Sequence, residues 1–346
     1  MSQKLEVGVL GATGMVGQQF VSRLARHPWF EVTWLAASER SEGKSYAAAA
    51  PWRLAAPMPA GCGALTVEAC VPGRGPKVVF SALDASAADH IEKEFAAAGH
   101  IVLSNARSFR MDPLVPLLIP EVNADHLCIL KEQRAQKGWA GAIVTNPNCS
   151  TIVLTTALAP LRLFNLRAVI VSTMQAVSGA GYPGVPSLDI LGNVIPFIGG
   201  EEEKIETETL KILGTDGGRS PYDAVVSAHT NRVPVIDGHT MTVSVDLEED
   251  PYVEEVIEAF EGFQGRPQEL KLPTAPIPAI VVTREPNRPQ PRLDVDLGDG
   301  MAVSVGRVRP CPVLSSKFVA LGHNTVRGAA GASILNAELM KAEGLL

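Results

Sequence analysis

The most restrictive feature of the sequence is a glycine-rich turn close to the N-terminus. Leu5–Leu10 is an apolar run typical of a buried strand, and residues 18–26 have helical spacing. Between them, Gly11, Gly14 and Gly17 would let the backbone approach a pyrophosphate at the N-terminus of the helix. A tight turn without a ligand is the simpler alternative, but the strand-turn-helix unit favours a nucleotide site.

Strands and helical stretches alternate through the first part of the chain. Further strands are predicted at residues 32–37, 78–82 and 101–104, and the alanine-rich residues 88–98 have helical spacing. Such alternation is typical of a mostly parallel, doubly wound sheet with helices on both faces. We therefore expect an α/β domain of the Rossmann type.

The pattern changes after Asn148. Residues 151–161 are apolar enough for a buried helix that ends near Pro160. Residues 168–175 and 240–247 alternate between apolar and polar side chains, as antiparallel strands do. We expect a second domain of the α+β class.

The length of 346 residues is too great for one hydrophobic core. We expect a nucleotide-binding domain of residues 1–148 and a second domain of residues 149–321. Residues 324–340 have an apolar stripe at helical spacing. A helix within residues 322–346 is therefore expected to return to the first domain and complete it.

The end of the second predicted strand indicates which nucleotide is bound. An acidic side chain there bonds the ribose 2′-hydroxyl of NAD, whereas a basic one accepts the 2′-phosphate of NADP. Ser38, Arg40 and Ser41 offer donors to a phosphate, which favours NADP. Glu39 leaves NAD open if its carboxylate points inward, and an exposed loop carboxylate is the alternative.

Charge and cysteine content exclude several classes of protein. The net charge of −7 argues against a nucleic-acid or anionic-membrane surface, and no apolar run reaches the roughly 20 residues of a membrane span. Five cysteines without a C-x-x-C pair indicate neither disulfides nor a zinc or other metal site, which suits the cytoplasm. We expect four of them to be small buried hydrophobes, namely Cys62, Cys70, Cys128 and Cys311.

The fifth cysteine, Cys149, is the candidate nucleophile. The motif N-P-N-C-S-T at residues 146–151 places it at the start of the apolar helix, where the helix dipole stabilises a thiolate. A second polar cluster at residues 229–239 contains Arg232 and His239 around an apolar turn. His239 is a plausible general acid and base, although chemistry alone does not choose it over His229 or His323.

These motifs together resemble the aspartate-semialdehyde dehydrogenase family, in its archaeal and fungal-like branch, over essentially the whole chain. The markers are G-A-T-G-M-V-G at residues 11–17, N-P-N-C-S-T at 146–151, Q-A-V-S-G-A-G at 175–181, R-V-P-V-I-D-G-H at 232–239 and N-T-V-R-G-A-A at 324–330. The resemblance implies NADP-dependent reduction of β-aspartyl phosphate to aspartate semialdehyde, with release of phosphate, through a cysteine thioester. It also implies that the second domain is catalytic and forms a homodimer or homotetramer.

The resemblance assigns roles to individual residues. It implies that Cys149 is the nucleophile, that Gln175 orients the intermediate and that His239 is the acid and base. The implied substrate ligands are Arg232 for the carboxylate, Glu201 for the amino group, and Arg110, Asn148 and Lys204 for phosphate. The implied cofactor ligands are Gly11, Thr13, Gly14, Met15, Val16, Gly17, Ser38, Arg40, Ser41, Ser81, Ser178, Gly179 and Asn324. Without the resemblance, residues 201–203 would be interpreted as the solvated start of a helix.

Three alternatives stay open from the sequence. Malonyl-CoA reductase shares the fold and the thioester chemistry, and N-acetyl-glutamyl-phosphate reductase shares the logic but has a different cysteine neighbourhood. A non-catalytic NADP-binding regulator would need no reactive thiol. The apolar residues 190–198 are either a subunit contact or a loop of the core.

Overall fold

A computed structural model describes residues 3–346, which divide into two compact units. The first unit contains residues 3–118, Asp125–Asn146 and Ala329–Leu346. The second contains Ile119–Ala124 and Pro147–Gly328. The division therefore follows the change of pattern at Asn148, except that a short segment before it joins the second unit.

The first unit is built on a six-stranded parallel sheet. Its order is β3-β2-β1-β4-β5-β6, which runs outward from the first strand in both directions, as in Rossmann-type domains. The strands are β1 Leu5–Leu10, β2 Phe30–Ala37, β3 Val67–Ala69, β4 Val78–Ser81, β5 Ile101–Ser104 and β6 Ala142–Thr145. The longer helices among them are α1 Met15–Leu24, α2 Ala85–Ala97 and α3 Leu130–Lys137. The predicted doubly wound α/β sheet is confirmed.

The C-terminal helix, Gly331–Ala342, belongs to the first unit and is buried on every side. The sequence predicted a single helix with one apolar stripe, but the segment begins with the π-helical turn Val326–Ala330. Its polar side chains can be buried because they have hydrogen-bond partners. Glu338 Oε1 lies 2.6 Å from His27 Nε2, and Ser333 bonds to Asn146.

The second unit is built on a six-stranded mixed sheet of order β10-β11-β12-β9-β7-β8. The strands are β7 Leu166–Gln175, β8 Val225–Arg232, β9 His239–Leu247, β10 Ile280–Thr283, β11 Val303–Pro310 and β12 Ser316–Gly322. The longer helices are α4 Cys149–Leu158, α5 Glu201–Leu213 and α6 Val253–Glu261. Strands β7 and β9 pair antiparallel, as predicted, whereas β7 and β8 pair parallel.

Short helical segments connect these elements in both units. The α-helical ones are Tyr46–Ala49, Ala60–Gly63, Pro120–Asn123, Ser187–Ile190, Arg266–Glu269 and Pro291–Asp294. The 3-10 segments are Ala124–Ile129, Ala159–Phe164, Val177–Ala180 and Asp216–Gly218. The predicted helix at residues 151–161 thus starts two residues earlier, directly after its cap Asn148, and continues from Ala159 as a 3-10 segment that contains Pro160.

Helix α5 covers the edge strand β8 with carboxylates. Glu202 Oε1 accepts a hydrogen bond from Thr230 N, and Glu206 Oε1 accepts one from Ala228 N, each at 3.0 Å. An edge strand otherwise presents unpaired N–H groups to other chains. The two bonds fix α5 against the sheet, and Glu201 and Glu208 of the same helix bond to Asn148 before α4.

Candidate active site

The nucleophile candidate, Cys149, is the first residue of α4, and Asn148 is the residue that caps this helix. Asn148 Oδ1 accepts hydrogen bonds from Ser150 N at 2.8 Å and from Thr151 N at 3.2 Å. Because the cap occupies both amides, they do not face a reacting oxygen. The rest of α4 is buried, so Cys149 is held at a rigid, half-exposed helix start.

The imidazole of His239 lies against the thiol of Cys149. Nε2 of His239 is 3.2 Å from the Cys149 Sγ atom, and Nδ1 accepts a hydrogen bond from Ala176 N at 3.1 Å. An acceptor at Nδ1 needs a lone pair, so the ring proton lies on Nε2 and points at the sulfur. Of the three histidines considered from the sequence, His229 is exposed, His323 is buried, and His239 contacts Cys149.

His239 is held in its neutral form. Its complete burial lowers its pKa from 6.5 to about 3, and the charge of Arg232 and the ring of His323 act in the same direction. An imidazolium would also direct a second N–H at the Ala176 amide. The pair is therefore a neutral N–H donor facing a sulfur, which suits a thiolate acceptor.

Arg232 ends strand β8 beside this pair. Its Nη1 donates to Ala176 O at 2.7 Å. Burial lowers the pKa of Arg232, while the nearby Cys149 and Glu201 raise it. The guanidinium thus brings positive charge to a buried site, where it stabilises a sulfur anion.

The loop after β7 closes over Arg232 and His239. A Cβ atom at Gly179 would lie 3.1 Å from Arg232 Nη1 and from His239 Cε1, so a larger residue would push these two side chains by a few tenths of an ångström. Gln175, at the end of β7, is buried with its Nε2 donating to Thr173 Oγ1 at 3.3 Å. His239 contacts Cys149, Gly179 lies beside both Arg232 and His239, and Gln175 pairs with Arg232 in the sheet.

Asn324 ties two loops of the site to each other. Its Oδ1 accepts from Gly238 N at 2.9 Å, and its Nδ2 donates to Ser178 Oγ at 2.7 Å. Gly238 directly precedes His239, and Ser178 precedes Gly179. Ser178 and Asn324, two of the implied cofactor ligands, thus contribute to holding the loops that flank the imidazole.

Helix α5 supplies the candidate substrate ligands. Glu201 Oε1 accepts from Asn148 Nδ2 at 2.7 Å, and its Oε2 is 2.9 Å from Lys204 Nζ. Glu201 is 6% exposed, so the interpretation as a solvated helix start is wrong for this residue. A third carboxylate, Glu208, accepts from Asn148 N and was not singled out from the sequence. The spacing of seven residues from Glu201 places it on the same helix face, which is the signal that could have found it.

The first unit contains a cleft of about 570 Å³ at the glycine-rich turn. Gly11 has φ +70°, and a Cβ atom at Gly17 would lie 2.3 Å from Gly11 O, so both positions require glycine. The cleft is lined by residues of the turn, of the ends of β2, β3 and β4, and of α2, including Gly11, Thr13, Gly14, Ser38, Glu39 and Cys70. Its position and lining fit a dinucleotide whose pyrophosphate lies at the start of α1, beside the backbone of Met15 and Val16.

Ser81, Arg40 and Ser41 are among the implied cofactor residues that do not line this cleft. Ser81 is completely buried, and its neighbours Ala82 and Leu83 face the cleft instead. Arg40 and Ser41 directly follow Glu39, an exposed residue that lines the cleft. Of the three predicted donors to a 2′-phosphate, Ser38 lines the cleft, whereas Arg40 and Ser41 do not.

Arg110, the remaining phosphate candidate, belongs to the first unit. It is 8% exposed, and its Nη2 donates to Asn105 O at 2.7 Å. The buried Glu92 lies close to it, and burial raises the pKa of Glu92 to about 7 despite a bond from Ser104. Arg110 is therefore held in a polar, buried setting that suits anion binding.

The remaining cysteines are all unpaired, and one differs from expectation. Cys62 is buried and Cys70 and Cys311 are half-buried, but Cys128 is exposed, so its assignment to the core is wrong. Within residues 3–346, no group of three or more His, Cys, Asp or Glu side chains could hold a metal ion. No helix of that stretch is long and apolar enough to cross a membrane.

The buried neutral histidine makes stability depend on pH. An unfolded chain protonates this histidine below about pH 6.5, whereas folded His239 stays neutral to about pH 3. The unfolded state binds more protons in this window, so the free energy of unfolding falls by about 1.4 kcal/mol per pH unit on acidification. Replacing His239 by Gln removes this slope, which thermal unfolding between about pH 7.5 and pH 5 measures. The exposed His229→Gln variant keeps it, and parallel curves for wild type and His239→Gln would contradict the assignment.

Gly328 forms a wall against the nucleophile. A Cβ atom there would lie 2.6 Å from Cys149 Cβ and 3.0 Å from its Cα. We expect Gly328→Ala to cost about 1–3 kcal/mol of stability and to slow iodoacetamide alkylation of Cys149 severalfold, because the helix start must shift away from His239. Gly61→Ala, which meets nothing within 4 Å, is the control. Equal alkylation rates in the two variants would show that Gly328 does not pack closely against Cys149.

Comparison with known proteins identifies the family. The semialdehyde dehydrogenase NAD binding domain matches residues 6–129, and the semialdehyde dehydrogenase dimerisation domain matches residues 158–327. The aspartate-semialdehyde dehydrogenases of Archaeoglobus fulgidus and Schizosaccharomyces pombe are 52% and 49% identical over 99% of this chain and 100% and 99% of their own. A crystal structure of aspartate-semialdehyde dehydrogenase with NADP from Candida albicans has a TM-score of 0.91 at 42% identity, covering 99% of this chain and 100% of that one.

These matches confirm the predicted combination of a nucleotide-binding Rossmann-type domain with a second, α+β domain. They extend over both units and include archaeal and fungal relatives, as the sequence motifs indicated. The chain belongs to the aspartate-semialdehyde dehydrogenase family.

Proposed function

We propose that the chain catalyses the reversible, NADP-dependent conversion of β-aspartyl phosphate into aspartate semialdehyde and phosphate. The observation that carries this proposal is the 3.2 Å contact between Cys149 Sγ and the Nε2–H of a neutral His239. A thiolate that accepts this bond at a helix start, beside Arg232, is the nucleophile that acyl transfer requires. Relatives about half identical over their full lengths carry this enzyme's name.

Charged side chains of the second unit supply the complement to the substrate. Arg232 is assigned to the substrate carboxylate, because its fork can bind two oxygens at once. Glu201, already bonded to Asn148 and Lys204, is assigned to the ammonium group. Lys204 and the remaining Nδ2 hydrogen of Asn148 bind the phosphate, and Arg110 is assigned to the same anion.

In the reductive direction the reaction begins with the sulfur. The Cys149 thiolate attacks the acyl carbon, the carbon–oxygen bond to phosphate breaks, and phosphate leaves with the bonding electrons, which gives a thioester. Gln175 orients this acyl group through its side-chain amide. A bound nicotinamide nucleotide supplies the hydride that reduces the acyl carbon. The carbon–sulfur bond then breaks, and the thiolate and the aldehyde separate.

His239 serves this sequence as a hydrogen-bond donor. Its Nε2–H faces the sulfur in the resting site, and the oxygen anion that forms on the acyl carbon accepts the same hydrogen. The bond from Ala176 N to Nδ1 keeps the ring neutral, so loss of the Nε2 proton would leave an imidazolate anion, and the ring donates a hydrogen bond without giving up its proton. The acid and base role implied by the resemblance is therefore narrowed to donation from Nε2.

NADP is the cofactor we assign. The Candida albicans relative was solved with NADP, and Ser38 and Arg40 offer donors at the rim of the cleft.

A free reactive thiol suits a reducing compartment, so we place the enzyme in the cytoplasm.

The decisive assay follows NADPH formation from aspartate semialdehyde and phosphate. We expect phosphate-dependent activity that falls by at least about a thousandfold in Cys149→Ser, because the thioester cannot form. Cys128→Ser, which changes an exposed thiol, should keep wild-type activity. Activity with malonyl-CoA alone would assign the chain to that reductase, and no activity with either substrate would favour a nucleotide-binding regulator.

The second unit is assigned a homodimeric contact, with a homotetramer as a dimer of such dimers. The apolar residues 190–198 do not form a loop of the core: Leu191, Val194 and Phe197 are more than half exposed, together with Leu188. Exposed apolar side chains clustered in one segment are typical of protein interfaces. The segment lies within the part matched by the dimerisation domain.

A charge within this segment should weaken the dimer. Phe197 is 71% exposed, and so is Leu163, which lies outside the segment. We expect sedimentation velocity to show Phe197→Asp dissociating into monomers at concentrations where Leu163→Asp and the wild type remain dimeric, because a buried carboxylate without a partner costs several kcal/mol. An unchanged dimer in Phe197→Asp would place the contact elsewhere.

A further inference from the structure

Helix α5 directs carboxylates to two different targets. Glu202 and Glu206 bind backbone amides of strand β8, whereas Glu201 and Glu208 bind Asn148. The second pair lies two helical turns apart on one face, and both of its members are buried. Helix α5 therefore holds the sheet with one pair and the start of α4 with the other.

Glu208 has no assigned role in substrate or cofactor binding. Its Oε2 accepts the Asn148 N–H at 2.7 Å, and the side chain is 2% exposed. A carboxylate–amide bond of this length is charge-assisted and stronger than a neutral one. It fixes the backbone of the residue that directly precedes Cys149.

Every polar group of Asn148 around the helix start is directed by a partner. Glu208 takes its N–H, Glu201 takes one Nδ2 hydrogen, and its Oδ1 caps Ser150 and Thr151. Loss of the first bond leaves a buried donor without an acceptor, and the backbone must rotate to find one. Because Asn148 directly precedes Cys149 in the chain, such a rotation moves Cys149 Sγ relative to His239.

We propose that Glu208 is a positioning residue that holds the Cys149 thiolate against His239 by binding the backbone of Asn148. This inference rests on the proposed function for its kinetic effect. Its geometric effect is independent, because the reactivity of Cys149 toward an alkylating agent depends on the same helix start.

The test compares Glu208→Met, which keeps length and removes the acceptor, with Glu208→Gln, whose amide oxygen can accept the same hydrogen. The matched control is Glu206→Met, which removes the same kind of bond from the same helix but at strand β8. We expect kcat of Glu208→Met to be lower than that of Glu206→Met by about tenfold or more, because displacement of a nucleophile is costly. The KM for NADP should be unchanged, and Glu208→Gln should restore most of the loss.

Alkylation of Cys149 by iodoacetamide is measured on these three variants and on the wild type. A change in the alkylation rate that is confined to Glu208→Met supports positioning by Glu208 even if the wild type lacks the proposed activity. Failure of the proposed function and failure of the positioning proposal are therefore distinguishable. A kcat for Glu208→Met less than tenfold below the control overturns it, as does a Glu208→Gln variant as impaired as Glu208→Met. If Glu208→Met does not fold, Glu208→Gln decides alone: wild-type kcat and alkylation support positioning by the acceptor oxygen, and impaired values overturn it.

Discussion

The capping of helix α4 by Asn148 is the interaction on which the rest of the site depends. The Oδ1 atom of Asn148 accepts hydrogen bonds from two backbone N–H groups of the helix, and its Nδ2 atom donates to Glu201. Because the cap uses the Ser150 and Thr151 amides internally, the positive end of the helix acts on Cys149 through its field and not through those donors. Charge stabilisation therefore falls to Arg232 and His239, which arrive from the two strands β8 and β9.

A neutral imidazole distinguishes this site from a thiolate–imidazolium pair. In such a pair both ring nitrogens carry protons, and the cation stabilises the thiolate directly. Here the Ala176 amide and the Arg232 guanidinium disfavour that state. The positive charge resides on arginine, whose protonation does not vary near neutral pH. The charges around the sulfur, positive on Arg232 and neutral on His239, therefore stay the same while negative charge forms and disappears on the acyl oxygen.

Local signals were sufficient to predict the parallel sheet of the first unit, and they single out Cys149 as the candidate nucleophile. Glycine spacing in the first βα turn reflects a steric requirement that the structure shows at Gly11 and Gly17. The sequence N-P-N-C likewise encodes a cap and a helix start within a few residues. The contacts of Ala176 N and Glu208 could not be predicted in this way, since they join residues 63 and 60 positions apart. The burial of the C-terminal helix was missed because its polar side chains find partners only in the folded unit.

The wall that Gly328 forms against Cys149 has a consequence for the chain during its synthesis. The nucleophile is made in the first half of the chain, but its neighbour is among the last twenty residues. Arg327, next to it, is anchored by the buried carboxylate of Glu121, so this wall also closes late. A nascent or truncated chain consequently displays the cysteine without its finished surroundings. The surroundings of Cys149 are therefore complete only after residues 327 and 328 have been added to the chain.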